Sequence, residues 1–548
     1  MRAGWGRVAR GEWLWVLGWS VVAVVVTSFP YCVGLVVSSP ELQFGGMVYN
    51  VQDINGYLAK MNQGARGEWL FHIPYTAEEH PGTIFFLFHR LLGKAAALTG
   101  LSLEWTYHLA RIACGVGLLL TVYCFLAAYT PHRAVRRIAF LLIAFSGGLG
   151  WLFVLLGRAE WAGSLPLDMI LPEGYLFLVL YSVPHIALAV AGMLWSLLFL
   201  RRASRLGSPW WALAAGATLL GVGLLAAFYI LIPYAVLGVD WLATALRRRK
   251  PDWRAAGLFC LSGVLPALVL GYNLYYFTFD PVYSAWAAQN IATSPHPLHY
   301  IAGYLIVGAL ALRGIGWAVK KHMWSLQLPI LWIAITPLLV YLPFGLQRRL
   351  VVGVQVPLGL MAALGMVYGV LLPVGRSRLM RWLSRFPRYS KAKMRRFLAV
   401  ALVLATVPTY ALLIAGNSVQ VLGRSWPIFH QRAELDMLDW LRAHTLPCET
   451  VLCAYETGNY VPARAGNRVF LGIGSETIRI EEKRAAVRRF FAADTDHGWR
   501  RALLADYGIA YVVIGPYERQ LGDFSGDAAY LSLDYANESY RVYRVVNP

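Results

Sequence analysis

WLWVLGWSVVAVVVTSFPYCVGLVV, from Trp13 to Val37, is the stretch whose reading decides the fold. It carries no charge and outruns the ~7–15-residue apolar core of a secretory signal. No small-residue cleavage site follows it, so it reads as a retained anchor. Arg2, Arg7 and Arg10 precede it, which places the N-terminus in the cytoplasm. The same texture recurs along the chain. Hydrophobic residues make up 58% of the 548 residues and charged residues only 14%, against about a quarter in soluble domains. The excess falls in long runs, so the chain reads as a polytopic membrane protein. The formal net charge of +20 sits in short loops beside apolar runs. That pattern encodes topology and argues against a nucleic-acid partner.

Runs and loop charges together predict about eleven crossings. Residues 13–37 exit, 107–129 return to His132, Arg133, Arg136 and Arg137, and 138–156 exit to a loop with Glu160, Asp168 and Glu173. Residues 175–199 return to Arg201, Arg202 and Arg205. The stretch 210–246 is too long for one span; it reads as two crossings joined near Pro233, with a re-entrant hairpin as the alternative. Spans at 255–278, 299–318, 325–343 and 351–373 follow. The loop 375–396 is strongly basic (Arg376, Arg378, Arg381, Arg385, Arg388, Lys391, Lys393, Arg395 and Arg396), and a last span at 397–415 leaves the tail outside. One loop breaks the charge bias. Gln347-Arg348-Arg349 falls on the outer side, where its arginines either snorkel to headgroups or grip phosphate oxygens with their planar forks.

The first outer loop, residues 39–106, carries the candidate chemistry. Between Asn50 and Met61 the spacing predicts a helix with Ile54, Leu58 and Met61 on one face and Asp53, Tyr57 and Lys60 on the other. Asp53 is either a catalytic carboxylate or an acid that complements the helix start. Glu78, Glu79 and His80 follow in a loop punctuated by Pro74, Pro81 and Gly82. Glu78 and Glu79 stand as alternative acid/base groups or weak metal ligands, or as a solvated acidic pair. After them, apolar Ile84, Phe85, Phe88, Leu91 and Leu92 alternate with polar His89, Arg90 and Lys94, which suits a helix lying in the membrane interface. Arg111 opens the second span on the same side, where it snorkels or faces the same cavity.

Residues 425–548 change character. A helix around Leu435–Leu441, strands at Thr450–Ala454 and Arg468–Leu471, helices at Ala485–Phe491 and Trp499–Tyr507 and a strand at Ala510–Ile514 predict a small α/β domain. Cys32, Cys114, Cys124 and Cys260 read as packing residues. Whether Cys448 and Cys453 pair is left open. Asn537-Glu538-Ser539 matches a glycosylation sequon by pattern only.

An anchor, a long outer loop with an early acid, an interfacial helix, many short-looped spans and an extracytoplasmic tail together resemble the GT-C superfamily of membrane glycosyltransferases, in the manner of protein O-mannosyltransferases and aminoarabinose transferases. The resemblance covers residues 10–415. Asp53 stands where those families keep their first-loop catalytic acid. Glu79-His80-Pro81-Gly82 resembles a later first-loop motif in which some relatives have Lys-Pro-Pro, so His80 replaces the lysine. Gln347-Arg348-Arg349 with Gly353 and Pro357 is similar to a segment of bacterial members, and Thr457 to Gly466 to their tails.

The resemblance implies an α-helical polytopic protein with a transmembrane domain over 1–420 and a soluble extracytoplasmic α/β domain over 425–548, in the plasma (inner) membrane. It implies a sugar moved from a polyprenyl-phosphate donor to an unidentified acceptor, with inversion. Asp53 would be the base; Arg348, Arg349, His80, Arg111, Gln347 and Tyr57 would bind the donor and its phosphate, and Asp53 and Arg348 would border one outer chamber. A divalent metal, magnesium or manganese, stays open as a cofactor, although Gln52 and Ile54 flank Asp53 where many relatives have a second acid. Two other classes remain: a transporter or flippase, which needs ionisable groups deep in spans, and a catalytically inactive receptor for lipid-linked sugars.

Overall fold

The computed structural model describes residues 8–343, 345–374, 378, 382 and 390–546. Arg2, Arg7, Arg376, Arg381, Arg385 and Arg388 lie outside the described residues. The chain divides into two compact units, each built from separated pieces of sequence.

The first unit combines residues 1–29, 111–272 and 292–416. Among the described residues, eight helices are long and apolar enough to cross a membrane: Arg10–Val37, Leu103–Tyr129, Arg133–Leu155, Pro184–Leu206, Ala227–Arg248, Trp253–Phe279, Pro297–Lys320 and Gln347–Val374. A ninth forms if Lys391–Leu404 and Pro408–Leu422, bent by 45°, act as one span. Pro209–Leu225 and Trp324–Leu339 are apolar but shorter. Each of the eleven expected segments thus falls on an apolar helix, and the 210–246 stretch divides at Ala226. Helices prevail because lipid offers the backbone no other hydrogen-bond partner. Glycines set the tightest packing: a Cβ on Gly314 would lie 2.0 Å from the Met361 carbonyl oxygen, and one on Gly365 1.9 Å from that of Leu310. Small residues let apolar helices meet backbone to backbone in this way.

The third span is interrupted at residues 146–149, around Gly147 and Gly148. The freed N–H groups find partners. Gly148 and Gly150 donate to Asp168 Oδ2 at 2.8 and 3.1 Å, Gly147 donates to Thr406 O, and Leu149 to Ala302 O. Asp168, expected in an open outer loop, is wholly buried because it caps this break.

The second unit combines residues 30–110, 273–291 and 417–548. Contacts here group the first outer loop with the tail. Strands β1 (Leu42–Phe44) and β2 (Phe429–Gln431) pair antiparallel, tying loop to tail directly. The main sheet holds β3 (Thr450–Leu452), β4 (Arg468–Val469), β5 (Ile509–Ile514), β6 (Leu531–Ala536) and β7 (Arg541–Val545) in the order β4-β3-β5-β7-β6. β3 runs parallel to β4 and β5, while β7 is antiparallel to β5 and β6. Its core joins Leu452, Phe470, Phe490, Leu504 and Val512 with Ala77 of the first loop. Cys448 is exposed, Cys453 is buried, and both are free thiols.

Candidate active site

Asp53 lies in the first turn of the helix Val51–Ala65. Asn50 before it adopts left-handed backbone, with φ 50° and no side-chain cap bond; asparagine is among the few residues that tolerate this. Ile54, Leu58 and Met61 are buried as the spacing predicted, Val51 is buried with them, and Asp53 is exposed. An acid here complements the positive end of the helix dipole. One turn on, half-buried Tyr57 stacks on His89 with ring centroids 4.6 Å apart. The helix is held on its far side by Leu87–Thr99, where glycine is required: a Cβ on Gly64 would sit 2.1 Å from Arg90 O, and one on Gly93 1.8 Å from Met61 O.

That contact inverts part of the expectation for Leu87–Thr99. His89 and Arg90 face inward with Gly93 and Ala96, whereas Leu91 and Leu98 are exposed. Arg90 Nη1 donates to Thr83 O at 2.9 Å, so local backbone takes its charge. Lys60 also departs from its expected place beside Asp53. It is fully buried, 2.5 Å from Glu476 Oε1, with Phe86 beneath its ammonium at 4.3 Å.

The later first-loop residues are engaged in structure. Ile73 N–H donates to His80 Nε2, and His80 Nδ1 lies 2.8 Å from Glu78 O, an arrangement met by the tautomer protonated at Nδ1. Burial pushes the His80 pKa below its ordinary value. Both ring nitrogens are thus engaged within the loop. Glu78 binds Lys483 Nζ at 2.6 Å, Arg479 at 3.1 Å and the Thr76 hydroxyl. Burial raises its pKa, but the Lys483 charge and the hydrogen bonds outweigh that and leave it lowered. A carboxylate so stabilised is a poor base. Glu79 is exposed in irregular loop.

In the first unit, Gln347–Val351 forms a 3-10 turn that presents half-buried Gln347, Arg348 and Arg349. Arg348 N–H donates to Ala292 O at 3.0 Å; its Nε is buried without a hydrogen-bond partner among the described residues. Arg349 Nε lies 3.8 Å from Glu173 Oε1, and its guanidinium is 5.9 Å from the Phe228 ring centre. Glu173 is a site neighbour that sequence reasoning treated only as loop charge. The turn signal Pro172-Glu173-Gly174 marks its place, and the Gly353 N–H donates to its carbonyl. Arg111 is buried and donates to Leu180 O at 3.0 Å and Ser28 Oγ at 2.8 Å. Among the described residues, no three His, Cys, Asp or Glu side chains are arranged to hold a metal ion.

Neither a protein-family profile nor a curated protein sequence matches the chain. Solved structures do. The Archaeoglobus fulgidus oligosaccharyltransferase in its apo form superposes with a TM-score of 0.57 at 13% identity, covering 91% of this chain and 69% of that one. The fold is that of the GT-C membrane glycosyltransferases. The oligosaccharyltransferase AglB from Archaeoglobus fulgidus, in complex with an inhibitory peptide and a dolichol-phosphate, gives 0.53 at 14% identity over 92% of this chain and 70% of that one. The mycobacterial arabinofuranosyltransferase AftD gives 0.52 at 15% identity over 99% of this chain and 42% of that one. With its apolar helices, this GT-C fold makes the chain an integral membrane protein.

Proposed function

We propose that the protein transfers a sugar from a polyprenyl-phosphate donor to an acceptor hydroxyl or amine, with Asp53 as general base. The supporting observation is the placement of Asp53, exposed in the first turn of a helix whose opposite face is buried. A GT-C neighbour captured with dolichol-phosphate supports the donor class.

The acceptor lone pair forms a bond to the sugar's anomeric carbon as the bond from that carbon to the phosphate oxygen breaks. The electron pair leaves with the polyprenyl phosphate, the acceptor proton passes to Asp53, and the anomeric configuration inverts. Glycosidases need a second carboxylate to protonate an alkoxide leaving group. A phosphate leaves as an anion and needs cations instead. Cations of that kind stand in the first unit, where Arg348 and Arg349 follow Gln347 and Glu173 Oε1 lies 3.8 Å from Arg349 Nε. Tyr57 offers its ring edge and hydroxyl to the donor near Asp53. Among the described residues, the carboxylates and histidines of the first loop form no set that fits a divalent metal. Tail and first loop are assigned to the extracytoplasmic side of the plasma membrane, in keeping with the basic last turns at Arg205, Arg247, Arg248 and Lys320.

The test is to incubate purified protein with labelled polyprenyl-phosphate sugar and candidate acceptors. Release of polyprenyl phosphate coupled to sugar transfer supports the proposal. Binding without release indicates a receptor, and vectorial movement in vesicles indicates a transporter.

A further inference from the structure

Lys60 is an ammonium with no exposed surface. Among the described residues its charged partner is Glu476 Oε1 at 2.5 Å, its Nζ also donates to Gly56 O at 3.2 Å, and Phe86 lies below it. Taking two charges out of water is costly, so a buried pair is weak evidence of added stability. Glu476 belongs to a tail loop fastened on several sides. Its N–H and that of Thr477 donate to Ile473 O, and Gly472 N–H donates to Thr477 Oγ1. From the segment 273–291, Trp286 Nε1 and Asn290 Nδ2 donate to Ser475 O, and Gln289 Nε2 donates to Thr477 O. The loop therefore bridges three stretches of one unit that are distant in sequence.

Two left-handed residues flank this bridge. Phe86 has φ 56° and Arg479 has φ 54°, an uncommon conformation for large side chains. Strain of this kind persists only where the surroundings hold it. Phe86 is held under Lys60, and Arg479 reaches Glu78. Lys60 lies two helical turns after Asp53, so the latch grips the helix that carries the proposed base. Gly56 between them leaves room for the carboxylate: a Cβ there would lie 3.2 Å from Glu476 Oε1.

We infer that Lys60 and Glu476 are positioning residues that lock the Asp53 helix in register with the tail. The inference rests on the glycosyl-transfer reading above. Misplacing a catalytic group by about 1 Å costs about 10²-fold in rate, whereas substrate binding elsewhere is unaffected.

The test is the double variant Lys60→Met with Glu476→Gln, which strands neither charge, read by kinetics and by amide hydrogen exchange. The latch predicts that kcat falls about 10²-fold with KM for the lipid donor unchanged. It also predicts that amides 51–65 exchange at least about tenfold faster while those of β5 do not change. A kcat equal to wild type overturns the inference, as does a raised KM at constant kcat. Faster exchange spread equally through β5 overturns it too, because that marks a merely structural pair. Should the double variant misfold, Trp286→Phe with Asn290→Ala loosens the same loop without touching buried charge, and a kcat drop of about tenfold is expected. If wild-type protein transfers no sugar, the functional reading fails, while the exchange measurement still decides the latch.

Discussion

At the residue scale, chemistry follows from what each side chain already touches. Glu78 meets two cations and a hydroxyl, so Glu78→Gln strands Lys483 in a buried site and should destabilise the fold by about 3–5 kcal/mol. Chemical denaturation of the variant checks this. The histidines give a pH signature. Burial lowers the folded-state pKa of both His72 and His80 from the ordinary 6.5. The unfolded chain therefore binds the proton more readily, and their contribution is complete above pH 6.5. It is lost as pH falls through the depressed folded values. Thermal melts should show Tm dropping as pH is lowered from about 6.5 towards 5, with a shallower drop in His80→Gln. An unchanged slope in that variant would show that His80 is not part of the effect. Residue roles were unevenly legible. The helical period put Ile54, Leu58 and Met61 inside, but the burial of Lys60 depends on Glu476, 416 positions away, which no local pattern announces.

At the element scale, packing decides what local signals leave open. Tyr455–Arg464 contains Gly458 and Pro462, both poor helix formers, yet it is a helix, with residues from Thr457 to Ala463 buried in the tail. The Asp53 helix packs against both this helix and Leu87–Thr99. Arg90 and His89 looked like a solvent face in the sequence, yet Gly93 and Ala96 on their side allow the closest approach, so that side turned inward. Gly93→Ala places a methyl 1.8 Å from Met61 O. Overpacking of this kind costs about 1–3 kcal/mol, and the loss should appear as a lower Tm. A variant as stable as wild type would mean that the two helices separate freely.

At the scale of the whole molecule, the apolar runs made the membrane class and the approximate set of helices legible, because lipid imposes length and composition directly. The grouping of residues 30–110 and 273–291 with the tail was not legible, since it arises from strand pairing and core contacts between distant segments. Its orientation is open to a direct probe. Cys448 is exposed in the tail, so a membrane-impermeant maleimide should label it in intact cells with the outer barrier opened. Labelling only after lysis would reverse the assigned sidedness.

The most direct test of the central claim compares the rate of sugar transfer from a polyprenyl-phosphate donor by purified wild type and Asp53→Asn of equal fold and Tm. Loss of the base should lower kcat about 10²–10⁴-fold. An unchanged rate would contradict the account.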